Sequence, residues 1–373
     1  MKVANIVLND FTNDSRVLKI SKTLGKSGAH VTVFAMHNEG LAEFSEEEFF
    51  TTQRVKLSSR KWSKRRIIQV VKYIEFIFRT FSRTKGYDHI HCNDLNSLPI
   101  GVMRKLASSK VKLIYDAHEY ETEMNGVQGI EKKIIKVMEK LLIGFADKVI
   151  TVSDSIAEEY VRLYNIEKPH LVLNCPAYID VSKNNLFRDN FAIHAEQKIF
   201  LYQGALNKGR GIEILLEAFK KLNDSTKVLV IMGYGELEKI VKLEADNSQN
   251  IFFQPAVKPE VVLNYTSSAD FGVSFIEDSC LSYRYCLPNK MFEYTMAGLP
   301  VLVSNLVEMK KFVEEHSVGV VSDENTVNGF YDAFSKIEEF DYESLKSNLK
   351  KVRKSYCWES QEVELLKAYK ELV

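Results

Sequence analysis

The chain lacks the features that would assign it to an oxidising compartment, a bilayer interior or a nucleic acid. Its 373 residues include only five cysteines, Cys92, Cys175, Cys280, Cys286 and Cys357. They are odd in number, scattered and without paired metal-type spacing, so a reducing compartment is expected and a disulfide framework is not. There is no excess charge of either sign: 50 Lys and Arg balance 50 Asp and Glu. That balance argues against the global basic field of a dedicated nucleic-acid binder. No apolar run approaches the ~20 residues that span a bilayer. The opening Met1–Leu8 turns polar at Asn9 and Asp10, too early for a secretory signal. No Asp-x-Asp metal motif, internal repeat or low-complexity segment occurs. The expectation is a soluble, cytoplasmic protein with no metal and no cofactor.

What is present is a regular alternation. Short β-branched runs (Val3–Leu8, Val31–Ala35, His89–Cys92, Lys112–Tyr115, Lys148–Val152, Leu171–Leu173) alternate with helical patterns such as Val17, Ile20, Leu24 closed by Gly28. Residues 177–197 turn polar and irregular and read as a linker. The pattern resumes with Ile199–Tyr202, Val228–Met232, Ile251–Phe253, Phe271–Phe275, Pro300–Val303 and Val318–Val321. Strands separated by helices imply parallel sheets, so two facing doubly wound α/β domains are expected, over 1–176 and 177–355. A C-terminal helix with Val363, Leu366 and Tyr369 on its apolar face occupies 356–373. Open parallel sheets bind ligands beyond their strand C-termini, which makes the interdomain cleft the expected site.

Two segments carry chemistry. In Tyr285–Asn305, Pro288 and Asn289 signal a helix start, Asn289 as a cap for the first free amides. Lys290 and Glu293 follow, Gly298 is a left-handed stop, and Pro300 opens a strand. Further upstream, Tyr202–Gly211 links a strand to a helix through Gly204, Gly209 and Gly211, with Arg210 in the loop. Glycine lets backbone amides approach a phosphate, and a helix N-terminus favours negative charge. An ordinary glycine-rich turn with a solvated arginine would look the same, as would the weaker Gly233-Tyr234-Gly235 turn. His118 after a strand end reads equally as a structural hydrogen-bonding residue.

Taken in order, these segments resemble the GT-B glycosyltransferases, specifically the retaining glycosyl transferases group 1 family. The resemblance runs from Asn13-Asp14-Ser15-Arg16-Val17 through Tyr115-Asp116-Ala117-His118-Glu119 and the glycine–arginine loop to Pro288–Glu293 and Tyr356-Cys357-Trp358-Glu359. It implies a nucleoside-diphosphate sugar, UDP favoured, as co-substrate and a glycan or lipid-linked acceptor in bacterial surface polysaccharide assembly. It also implies roles: Glu293 at the ribose, Lys290 and Arg210 at the diphosphate, His118 near the donor sugar. Gly204, Gly211, Gly233, Tyr285 and Asn289 belong to the donor side, and Asn13, Asp14, Arg16, Asp94 and Glu119 to the acceptor side. Tyr285 stands where the family's Glu-x7-Glu motif has its first carboxylate, and Ala205 replaces the arginine of Gly-Arg-Leu. A nucleotide-sugar epimerase, or a silent nucleotide-sugar-binding protein, are the competing readings. The C-terminal helix is expected to cross back onto the first domain.

Between Arg60 and Lys85 nine basic residues, Lys64 among them, face a single Glu75, and Ile67, Ile68, Val71, Ile74, Ile77, Phe78 and Phe81 recur at helical spacing. A crossover helix is needed here, so its apolar face is expected to pack on the first sheet. Lys61–Arg66 would then be open to an anionic membrane surface.

Overall fold

The computed structural model describes residues 1–63, 65–222 and 224–372, so Lys64 lies outside the described residues. The chain divides into two compact units, Met1–Val172 with the residues from Glu362 onward, and Leu173–Gln361.

The first unit is built on eight strands: β1 (Lys2–Ile6), β2 (His30–Met36), β3 (Phe44–Glu46), β4 (Thr51–Val55), β5 (His89–Asn93), β6 (Lys112–Ala117), β7 (Lys148–Thr151) and β8 (His170–Leu171). Their order is β3-β4-β2-β1-β5-β6-β7-β8, parallel except for the β3–β4 edge. Central strands such as β5 are buried along their whole length, as expected of a sheet covered on both faces. The helices are α1 (Ser15–Lys26), α2 (Arg66–Arg83), α3 (Leu98–Ala107), α4 (Gly129–Leu142) and α5 (Asp154–Tyr164). Asp14 caps α1, its Oδ1 accepting from the Val17 amide at 3.0 Å. Right-handed crossovers send α1 to one face and α2, α3 and α4 to the other, where α3 packs against both α2 and α4.

Helix α2 is rotated opposite to expectation. It buries Lys72, Phe76 and Thr80, while Ile67 is 79% exposed, Phe78 59% and Ile74 46%. The expected packing of the apolar face on the sheet is therefore overturned. The preceding loop fixes the rotation: Lys72 Nζ donates to the Trp62 and Ser63 carbonyls at 3.0 and 3.3 Å. Glu75 in turn accepts from the Ser58 and Ser59 amides at 2.6 and 2.9 Å. Helix α4 is held from below by Glu139, which is fully buried and accepts hydroxyl hydrogen bonds from Tyr115, Tyr160 and Tyr164 at 2.7, 2.8 and 2.5 Å.

The second unit carries six parallel strands: β9 (Lys198–Ala205), β10 (Lys227–Tyr234), β11 (Ile251–Pro255), β12 (Phe271–Ser274), β13 (Val301–Ser304) and β14 (Gly319–Ser322). Their order is β11-β10-β9-β12-β13-β14. Around them lie α6 (Leu186–Phe191), α7 (Ile212–Lys221), α8 (Glu238–Asp246), α9 (Pro259–Thr266), α10 (Leu281–Arg284), α11 (Asn289–Ala297), α12 (Val307–His316), α13 (Val327–Glu339) and α14 (Tyr342–Ser355). Residues 177–197 include α6, whose Phe187 is fully buried in this unit's core beside Ile193 and Cys175.

The last helix, α15 (Trp358–Lys370), runs through the division between the units. Beyond that division it buries Leu365, Ala368 and Tyr369, with Leu372 just past its end continuing the face, at i, i+3, i+4 and i+7. Val363, expected on the apolar face, is 64% exposed, because the Tyr369 hydroxyl is tied to His91 Nδ1 at 2.9 Å and Thr23 donates to Glu362 at 2.6 Å. Leu365→Ala should therefore cost about 2–4 kcal/mol, and Val363→Ala less than about 0.5, in urea unfolding. Equal losses would show that the register of this helix is wrong.

Candidate functional site

In the second unit the topology reverses between β9 and β12, and a doubly wound sheet opens at that point beyond its strand ends. β9 leaves the sheet through Gly204, at φ +122°, and the loop returns at Gly211, at φ +77°, which caps α7. Gly211 is obligatory on two counts: an L side chain is strained at this φ, and a Cβ would lie 1.9 Å from the Phe275 carbonyl oxygen. Gly233, at the end of β10, lies as close to the Gly204 carbonyl, at 1.9 Å from its would-be Cβ. The three glycines therefore crowd the ends of adjacent strands.

Helix α11 supplies the charged groups. Tyr294 anchors it: its ring packs on Gly272, and its hydroxyl donates to the Leu201 and Val273 carbonyls at 2.9 and 3.1 Å. It also accepts from the Gln203 amide at 3.1 Å. Lys290 and Glu293, three residues apart, share one helix face beside this anchor. Pro288, not Asn289, is the N-cap, and it has no side-chain cap bond; Asn289 is the first helical residue, because proline's fixed φ already starts the turn. Gly298 ends the helix at φ +75°, as expected.

Lys290 is 7% exposed, and its Nζ has no hydrogen-bond partner among the described residues. It rests 3.6 Å from the centroid of the Tyr202 ring and beside Gly204. Burial, and then the nearby Arg210 guanidinium, push its ammonium well below the usual lysine range. Arg210 stacks on Tyr283 at 4.7 Å. Glu293 accepts from the Gln203 side chain, whose Oε1 accepts from Thr266 at 2.8 Å. Gln203 and Thr266 had no sequence signal; they matter only because β9 and α9 end side by side. Tyr285 caps the short α10. Two cations, a carboxylate held in place and a glycine-lined strand edge thus stand together at this rim.

The first unit gathers a different group. Asp116, at the end of β6, is fully buried and accepts from Arg16 Nη2 and Nε at 2.6 and 2.9 Å. Arg16 Nη1 donates to the Val172 carbonyl at 2.6 Å. Burial alone would raise the Asp116 carboxyl, but Arg16 and His118 hold it well below the usual range. His91 and His118 each bring Nε2 to 3.4 Å from Asp116 Oδ2. His118 Nδ1 also lies 3.3 Å from Asp94 Oδ1, and its Nε2 is 3.2 Å from Asn93 Oδ1. Asp94 adopts φ +60°. Asp14 accepts from Asn9 at 2.8 Å, while Asn13 and Glu119 are exposed. Of the acceptor-side candidates, Arg16, Asp94 and His118 thus converge on Asp116. Asn13, Asp14 and Glu119 do not. Asp116 stands within the Tyr115–Glu119 segment, where its residue type alone gives no sign of this role.

Burial works to lower the His118 imidazole, but the carboxylates of Asp94 and Asp116 outweigh it and raise it above 6.5. Protonated His118 therefore contributes stability that is whole below about pH 6.5 and is lost as pH rises through the raised value. The imidazole should titrate above 6.5 by NMR, and Asp94→Asn should move the midpoint down. A midpoint unmoved by Asp94→Asn would remove Asp94 as the cause.

Comparison with known proteins agrees with this division. A family model described as Glycosyltransferase Family 4 matches residues 15–175, and one described as Glycosyl transferases group 1 matches 197–339. An uncharacterized glycosyltransferase of Methanocaldococcus jannaschii is 25% identical over 311 residues, 76% of this chain and 75% of the relative. A chitobiosyldiphosphodolichol beta-mannosyltransferase of Candida albicans is 24% identical over 69% of this chain; that alignment spans only 61% of the relative's length. Among solved structures, sucrose-phosphate synthase from Thermosynechococcus elongatus superposes at a TM-score of 0.83 with 19% identity, covering 100% of this chain and 99% of that one. Anabaena HepE in complex with UDP-glucose superposes at 0.74 with 12% identity, each chain fully covered. The chain is a glycosyltransferase of the GT-B fold, its first unit matching Glycosyltransferase Family 4 and its second Glycosyl transferases group 1.

Proposed function

We propose that the protein is a retaining glycosyltransferase that moves a sugar from a nucleoside-diphosphate donor, UDP favoured, to a glycan or lipid-linked acceptor in surface polysaccharide assembly at the cytoplasmic side. The observation that carries the donor reading is Lys290: a buried ammonium without a hydrogen-bond partner among the described residues, beside Arg210 and glycine-rich strand ends. A buried cation of this kind is costly unless an anion completes it, and a diphosphate supplies negative charge for both Lys290 and Arg210.

In this reading Gly204, Gly211 and Gly233 let the backbone approach the diphosphate, and Glu293, steadied by Gln203, takes the ribose hydroxyls. Tyr285 and Asn289 complete the donor side. Departure of the diphosphate develops negative charge on its terminal oxygens. Arg210 and Lys290 meet that charge in a preorganised way, each contributing roughly 3–4 kcal/mol of barrier lowering. The family resemblance assigns His118 to the donor sugar and Asp94, Asn13, Asp14 and Glu119 to the acceptor. Arg16 acts through Asp116 as a positioning residue, since its guanidinium is already committed. Retention follows from reaction on one sugar face, with the leaving phosphate taking the acceptor proton. The UDP preference is supported by HepE, whose structure holds UDP-glucose, and the lipid-linked acceptor by the name of the Candida relative.

A panel of uridine, guanosine and adenosine diphosphate sugars, followed by NMR of the released anomer, tests this directly. The retained anomer is expected, with Arg210→Ala and Lys290→Met each lowering turnover at least ~100-fold in a folded protein. An epimerised sugar, no product, or near-normal turnover in the double variant would overturn the reading. Turnover should also survive EDTA; loss restored by added magnesium or manganese would refute the metal-independent form of the proposal.

A further inference from the structure

Helix α4 is amphipathic in the wrong direction for a crossover helix. Glu139 sits on its sheet side, while Ile130, Ile134, Val137 and Leu141 form one stripe, within about 60° of arc at 100° per residue, on the opposite side. Ile130 is 78% exposed, Ile134 61%, Val137 57% and Leu141 67%. A shallow apolar groove runs along them, extended by Met138 and Leu142. A helix of a soluble domain ordinarily buries such a stripe.

The neighbouring α2 repeats the inversion with exposed Ile67, Val70, Ile74 and Phe78. Both helices lie on the same face of the first sheet, and Arg66 Nη2 and Glu131 Oε2 join their N-terminal turns at 2.6 Å. The charge beside these stripes that is left over after ion pairing is positive. Lys133 and Lys140 on α4 and Arg65 before α2 are exposed, while Lys136 pairs with Glu123 at 2.5 Å and Arg66 with Glu131. The acids of the two helices are all engaged: Glu131 with Arg66, Glu75 with Ser58, Ser59 and Arg79, and Glu139 beneath three tyrosine hydroxyls. The chain as a whole carries no net charge, so this basic surface is a local concentration.

We propose that the α2–α4 face docks on an anionic lipid bilayer, the Ile130–Leu141 ridge entering the headgroup–acyl boundary and the flanking lysines and arginines meeting lipid phosphates. An apolar ridge with a cationic border matches the interface between acyl chains and anionic headgroups. A second copy of this chain is the poorer occupant, because it would set the same cations against each other. The proposal concerns binding alone and does not need the donor reading to hold.

Flotation of the full chain on a density gradient tests it, with large vesicles of phosphatidylcholine alone or with roughly 40% phosphatidylglycerol. The protein should rise with the anionic vesicles, stay down with the neutral ones, and lose binding at high salt. Ile134→Asp with Val137→Asp, and separately Lys133→Glu with Lys140→Glu, should each lower the bound fraction on the order of tenfold. These positions are exposed, so unfolding curves and UDP binding in solution should match the wild type; this separates failure of docking from failure of the donor site. No rise with anionic vesicles, or a rise unchanged by both double variants, would overturn the proposal. So would sedimentation showing a dimer that the Ile134→Asp and Val137→Asp pair dissolves, since a second copy would then cover the ridge.

Discussion

Parallel pairing is the constraint from which the rest follows. Once β1 pairs with both β2 and β5, and β9 with both β10 and β12, each strand must return by a crossover on a face of its sheet. Loops then collect at the strand C-termini and helices on the faces. Each sheet has one place where chemistry gathers, the rim where its strand order reverses: Asp94 stands there in the first unit, Gly204 and Arg210 in the second. The faces receive long helices whose outer sides the sheet never sees, and α2 and α4 use those sides differently from most crossover helices.

The two rims handle charge in opposite ways. In the first unit Asp116 is answered completely: a forked pair from Arg16, two imidazoles, and a guanidinium whose remaining nitrogen finds the Val172 carbonyl. Such a network is rigid, and it holds the His118 ring between Asp116, Asp94 and Asn93. In the second unit Lys290 is desolvated beside another cation and is moderated chiefly by the Tyr202 ring and by Glu293. A satisfied network holds a shape; an unsatisfied one selects a ligand by charge.

Much of this is legible in the amino-acid sequence. The β-branched runs marked the strands because a parallel sheet buried on both faces needs continuous apolar segments, and Gly298 and Gly211 marked their helix ends because only a left-handed φ fits there. The short β3 and β4 pair was not legible, since half-exposed residues such as Gln53 carry no apolar run. Periodicity identified an apolar stripe on α2 but could not say which way it points; rotation is set by the Lys72 and Glu75 contacts with the preceding loop, and no local pattern encodes them. In the same way Val363 looked like a core residue until the His91–Tyr369 contact fixed the turn of α15. At the sites, residue types with unusual chemistry were found, whereas the partners that position them, Gln203, Thr266 and Asp116, are ordinary polar residues made special only by which strand ends meet.

The depressed ammonium of Lys290 has a thermodynamic corollary. A group held below its ordinary pKa by burial and by Arg210 subtracts from the stability of the empty fold wherever the unfolded chain would carry the proton. Under the proposed donor reading, an anion bound against it raises that value again, so capture of a diphosphate would draw protons onto Lys290 and release would give them back. In that reading, affinity for the nucleotide would fall as pH rises between the empty and occupied values, and the heat of binding would depend on the ionisation enthalpy of the buffer. The same residue couples occupancy to folding: the ligand removes a cost that the apoprotein carries, so saturation should stabilise this domain by more than the direct contacts alone would supply.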